Sequence, residues 1–125
     1  MARYIDGFVL PVPRKNLPAY RRLARLAAKV WKEHGALEYV ECIADKLESK
    51  HDGKVHKSLF PKMAALKRDE TVVFSWIVYK SKSDQARVMK KVMTDPRLAD
   101  FMDPAKMPFD MKRMAWGGFK PIVEA

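Results

Sequence analysis

Two carboxylates stand inside otherwise apolar runs: Asp6 between Ile5 and Gly7, and Glu41 between Val40 and Cys42. A carboxylate in such a run is expected to be partly buried, and burial raises its pKa toward the range useful for moving protons. Each also reads as the partner of an arginine or a backbone N–H, and Glu41 as a residue facing water, because structural ion pairs shift pKa values too. His34 follows Trp31 on the apolar stripe of a helical stretch. It reads as a proton shuttle or ligand contact, or as a helix-terminal histidine that bonds a carbonyl and complements the dipole. Trp31, Trp76 and Trp116 fit either the lining of an apolar ligand cavity or plain core. In the run Pro108 to Arg113, Asp110 and Arg113 read as a charged pair gating a pocket or as a loop lock. Cys42 has no base beside it in sequence and reads as a small buried filler rather than a nucleophile. His51 and His56 lack carboxylate or cysteine company, so no metal is assigned. There is no phosphate loop, nucleophile elbow or dinucleotide fingerprint, and so no cofactor.

The chain that must position these groups has 125 residues, with 25 Lys+Arg against 15 Asp+Glu and a net charge of +10. That length predicts one domain, residues 1–125, burying roughly two-thirds of its extended surface. Hydrophobic residues make up 48% and charged residues 32%, which describes a folding globule and excludes a disordered basic tail. A single cysteine excludes an internal disulfide. The longest apolar stretch, Val72 to Tyr79, is broken by Ser75 and falls short of the ~20 residues of a membrane span. No apolar core of a signal peptide opens the sequence. The expectation is a cytoplasmic protein without membrane contact.

Residues 3–12 are rich in aromatic and β-branched types and stop at prolines, which predicts a strand. Asn16 then suits an N-cap, with Pro18 in the first turn. Leu23, Ala24, Ala27, Val30, Trp31 and His34 recur at helical spacing, and Gly35 suits a left-handed stop. Residues 36–45 predict a second strand. Lys46 to Glu70 is polar and basic, with a turn at Asp52-Gly53 and a short helix around Pro61 to Leu66. Thr71 to Lys80 predicts a third strand, and Ser83 caps a helix running to about Met93. Asp95 to Asp110 reads as an irregular crossover, and Arg113 to Val123 as a last strand with a bulge or a close backbone approach at Gly117-Gly118. The order βαββαβ predicts an α+β ferredoxin-like domain: a four-stranded antiparallel sheet with two helices on one face and the first and third strands central.

Those strands do not alternate cleanly. The first offers Tyr4, Phe8 and Leu10 on one parity and Ile5 and Val9 on the other, and the third is apolar on both. A solvated second face should be polar, and monomers rarely leave a large apolar patch wet. A second copy of the chain is the simplest cover, which predicts a homodimer.

The stretches 4–13 (Tyr-Ile-Asp-Gly-Phe-Val-Leu-Pro-Val-Pro), 30–42, 70–81 and 107–114 (Met-Pro-Phe-Asp-Met-Lys-Arg-Met) resemble the small bacterial YbaA-like proteins nearly end to end. The resemblance implies a dimeric α/β-barrel in which two ferredoxin-like sheets face each other. Other branches of that superfamily include cofactor-free monooxygenases, haem-degrading enzymes and small-ligand binders. The YbaA-like branch supplies no catalytic residue to carry over.

Three functions follow as expectations. One is a small-molecule site between sheet and loops, lined by Asp6, His34, Glu41 and Trp76, with Asp110 and Arg113 nearby; whether it is an enzyme is left open. The second is a basic RNA-binding dimer using Arg21, Arg22, Arg25, Lys29 and Lys32 on one side of the first helix, where phosphates would bind with strong salt dependence. No aromatic residue is interleaved there for base stacking, so a solubilising charged face is the competing explanation. The third is a structural protein with no ligand.

Overall fold

The strand β1 (Tyr4–Pro13) runs antiparallel to two partners at once, β5 (Glu70–Tyr79) on one side and β6 (Ala115–Phe119) on the other. A fourth strand, β2 (Glu38–Ile43), pairs with the far side of β5, giving the order β2-β5-β1-β6. The two longest and most apolar strands are therefore central. The computed structural model describes residues 2–125, apart from the side chain of Met102.

Register assigns the faces. Asp6 opposes Ile77, Phe8 opposes Ser75 and Leu10 opposes Val73, while Tyr39 and Glu41 oppose Ile77 and Ser75. Because strand side chains alternate with period two, these residues share one face. Against that face pack α1 (Leu17–Glu33) and α3 (Lys82–Met93), through Val30, Val88 and Val92, all essentially buried. The opposite, open face carries Ile5, Val9, Val40, Phe74, Trp76 and Phe119.

Helix α1 ends as Gly35 predicts. Ala36 N–H donates to the Trp31 carbonyl at 2.9 Å and Gly35 N–H to that of Lys32 at 3.2 Å, with Gly35 at φ 122°, which satisfies carbonyls the helix leaves open. Its start differs from expectation. Asn16 makes no capping bond, and its Nδ2 donates instead to the Pro108 carbonyl at 3.0 Å, tying the helix to the crossover. For α3 the cap is Ser81, whose Oγ accepts from Asp84 N–H at 3.1 Å, rather than Ser83.

The basic segment is more structured than its composition suggests. A hairpin of β3 (Glu48–His51) and β4 (Lys54–Lys57) turns at Asp52-Gly53, with φ of 52° and 73°. Two consecutive positive φ values make the primed turn that matches strand twist. The following α2 (Phe60–Met63) lies against β5 on the open face, where Phe60 meets Phe74 edge-on at 6.1 Å. The hairpin is an addition to the expected βαββαβ order, while α2 falls where a short helix around Pro61 to Leu66 is expected.

The crossover from 96 to 113 is built by one repeated device. Asp95, Asp103 and Asp110 each accept, at 3.0 Å, the N–H of the residue two positions on, starting three tight turns in succession. Aspartate side chains favour such turns because they mimic a backbone bond. In β6 the register runs unbroken, without a bulge, and what approaches is a side chain rather than backbone: a Cβ on Gly118 would lie 2.1 Å from Tyr4 Oη.

Candidate functional site

The packed interior is divided. One cluster gathers Val30, Ile77, Tyr79, Val88 and Val92, and a second holds Leu10, Val12 and Val73. Between them lies a cavity of about 460 Å³, bounded by the helix face of the sheet, by α1 and α3, and by the crossover. Among the described residues, five methionines line it: Met89, Met93, Met107, Met111 and Met114. So do Phe8, Tyr20, Trp31, Tyr39, Phe101, Phe109 and Trp116, the last at the rim with 73% of its surface exposed. Flexible thioethers beside rigid rings make a wall that adapts to an apolar guest.

Two carboxylates enter this wall. Asp6 is buried, and its Oδ2 accepts from Tyr79 Oη at 3.0 Å and from Gln85 Nε2 at 3.3 Å. Trp31 Nε1 in turn donates to Tyr79 Oη at 3.0 Å. An indole N–H can only donate, so the phenol hydrogen is left for an acceptor, and Asp6 is the stronger of the two in reach, the other being the weakly accepting Met89 sulfur at 3.9 Å. Both donors reach Oδ2; no polar side-chain atom of the described residues is shut away without a partner, so Oδ1 opens on the cavity. Burial pushes the Asp6 carboxyl above its ordinary range, and the bonds from Tyr79 and Gln85 pull it partly back. Burial beside a carboxylate likewise raises the Tyr79 phenol, keeping it neutral.

Glu41 is differently used. Tyr20 Oη donates to its Oε1 at 2.5 Å and Tyr39 Oη to its Oε2 at 2.8 Å, so both oxygens are taken. Burial, with the Glu41 charge next, raises both phenols far above their usual range. Asp6 and Glu41 sit on strands either side of β5, two residues apart in register, which puts their Cα atoms roughly 12 Å apart. Ser75, buried, lies between them on the cavity wall. Glu41 thus pins two rings, and Asp6 keeps an oxygen free.

A family model described as protein of unknown function (DUF1428) matches residues 3–111. The chain belongs to this family. It is 44% identical over 122 residues to the protein called "Uncharacterized protein YbaA" of Escherichia coli K12, covering 98% of each chain, and equally similar to the protein of that name from Shigella flexneri. Among solved structures, it is similar over the whole of both chains to a dimeric ferredoxin-like protein from an uncultured marine organism, with a TM-score of 0.60 at 11% identity. That likeness shows a ferredoxin-like fold.

Of the residues singled out in sequence, Asp6, Glu41, Trp31 and Trp116 line the cavity, whereas His34, Trp76, Asp110 and Arg113 do not, and Cys42, expected as a buried filler, is exposed. Trp76 points to the open face, because its parity on β5 is opposite to that of Ser75 and Ile77; its Nε1 donates to Glu38 Oε1 at 3.0 Å. His34 lies past the cavity at the end of α1, with Nε2 2.8 Å from Asp95 Oδ2, which Arg97 also holds. That cluster ties α1 to the crossover, and it draws the Asp95 carboxyl well below its ordinary range. Asp110 is exposed and committed to its own turn. Arg113 pairs with Glu70, not Asp110, through bonds of 2.7 and 2.9 Å, and also donates to the Ala65 carbonyl at 2.7 Å. The guanidinium holds the Glu70 carboxyl down at about 2. This is a lock between the start of β5 and the lead into β6. Arg21, Arg22, Arg25, Lys29 and Lys32 are all exposed, and Lys32 donates to the Leu37 carbonyl at 2.8 Å.

The site also includes groups that the sequence reading missed. Tyr39 was available, since it stands two residues before Glu41 and shares its face. Tyr79 and Ser75 share the parity of Ile77 on β5 in the same way. Tyr20 and Gln85 carry no such signal: they reach the carboxylates only once α1 and α3 dock on the sheet.

Proposed function

We propose that this protein is a homodimer in which each subunit binds a small molecule in the cavity between sheet, helices and crossover. Through Asp6 Oδ1 it is equipped to exchange a proton with that molecule. The observation that carries this reading is the free oxygen of a buried carboxylate, opening on an apolar space large enough for a compact ligand. The Tyr79 phenol, itself held by the Trp31 indole, and the Gln85 amide hold the carboxyl in one orientation, as a binding or proton-transfer group requires.

The dimer is supported by the open face. Phe60, Phe74 and Trp76 form a run of edge-to-face rings there, and Leu59, Met63 and Phe119 are exposed beside it. The ferredoxin-like neighbour is described as dimeric. Two such sheets facing each other would give the dimeric α/β-barrel, with the cavities on the outer, helix-covered sides and each within a single subunit. The basic side of α1 remains available to phosphates in that assembly. RNA affinity that falls steeply with salt and is lost on charge reversal of Arg21, Arg22 and Arg25 would favour that second use.

A thermal-shift screen of a small-molecule library tests the cavity. Hits should stabilise the wild type and lose most of their effect in Asp6→Asn, while Trp76→Phe, altered on the opposite face, keeps it. A library without a single hit, or hits indifferent to Asp6→Asn, would overturn the proposal.

A further inference from the structure

We propose that the molecule bound in this cavity is an organic cation, an ammonium group carried on an aromatic or similarly flat apolar body. The inference rests on the cavity reading above and deepens it. Its first ground is charge. In a chain with 25 Lys+Arg, no lysine, arginine or histidine among the described residues lines the cavity, yet two carboxylates do. An anion placed there would meet two acidic groups in a poorly screened interior and no compensating cation.

The second ground is hydrogen-bond supply. The hydroxyls of Tyr20, Tyr39 and Tyr79 and the indole N–H of Trp31 are all committed inward, to Glu41, Asp6 and one another. What remains toward the space is Asp6 Oδ1, on a residue with only 7% of its surface exposed, beside the uncharged Ser75 hydroxyl and Gln85 amide, which can donate or accept. The one charged group facing the space is thus an acceptor that calls for a donor, and an ammonium brings up to three with no acceptor of its own. The third ground is the rings themselves: a cation beside aromatic faces in a desolvated site is attracted by their quadrupoles. The methionine wall accommodates the flat body without dictating its outline.

Calorimetric titration with an isosteric trio decides the matter: 1-naphthylmethylamine, 1-naphthalenemethanol and 1-naphthoate. The wild type should bind the amine at least about tenfold more tightly than the alcohol, and the carboxylate weakest of all. Asp6→Asn should bring the amine down to the level of the alcohol. If amine and alcohol bind alike, or the carboxylate binds best, the cation inference is overturned while the cavity reading stands. If none of the three binds, both fall. The comparison of the three probes is made within the wild-type protein, so it holds even if Asp6→Asn folds poorly.

Discussion

Filling the cavity from α1 is the sharpest test of whether the divided core is a space kept for a guest. Ala24 lines the cavity and is only partly exposed. Ala24→Leu adds three carbons on that wall. At about 0.8 kcal/mol for each buried carbon the gain is roughly 2.4 kcal/mol. Rotamer entropy takes back about 0.5–1 kcal/mol and the lower helix propensity of leucine a few tenths. The net stabilisation is about 1–1.5 kcal/mol. For a domain of 125 residues this raises the melting temperature by roughly 4–6 °C. Urea titration and scanning calorimetry read the change, and ligands found with the wild type should stabilise the variant less. A loss of stability of about 1 kcal/mol or more would mean that the wall already packs to normal density, where added methylenes strain the core. The reasoning from a divided core would then be wrong.

Other perturbations probe the site and its frame. Asp6 has a raised carboxyl pKa in the folded state, so it favours folding most below the ordinary aspartate range and less as pH rises through its raised value. Asp6→Asn should accordingly gain on the wild type as pH rises to neutrality and show no gain in acid, as followed by denaturant midpoints across pH. Glu70 behaves oppositely: its pKa is lowered to about 2, so its contribution is present above the ordinary glutamate range and fades as pH falls toward that value. Arg113→Ala should lower the melting temperature by several degrees at neutral pH and by little near pH 2, and an equal loss at both would separate the lock from its charge. Gly118→Ala drives a Cβ into Tyr4 and should cost about 1–3 kcal/mol, recovered in large part when Tyr4→Ala is added. Phe74→Glu places a charge on the open face and should shift the proposed dimer to monomer in sedimentation, with the cavity's ligand response retained; a wild type that is already monomeric would refute the dimer.

The elements were readable because local chemistry announces them. Gly35 ends α1 in a left-handed turn, Asp52-Gly53 turns a hairpin, and the apolar runs at 4–13 and 70–79 become the central strands. Where the reading slipped, two local candidates competed. Ser81 and Ser83 both suit a cap, and Asn16 was drawn from its capping position by a carbonyl ninety-two residues away. His34 and Arg113 were equally visible as charged groups near strand and helix ends. Their partners, Asp95 and Glu70, are distant in sequence, so nothing local showed that both serve as locks rather than as site residues.

By itself the sequence determined the main strands and helices (though not the hairpin at 48–57), the presence of two carboxylates inside apolar strands, and an excess of greasy surface on both parities. Those follow from propensity, period and burial cost, which act over a few residues. Only the tertiary structure decided which parity of β1 and β5 meets the helices, and hence that Asp6 and Glu41 share a cavity from which Trp76 is excluded. It also decided that Tyr20 and Tyr39 occupy both oxygens of Glu41 while Asp6 keeps one free. The physical reason is that both faces of these strands are apolar, so period two alone could not choose between them; docking α1, α3 and the crossover onto one face broke the tie.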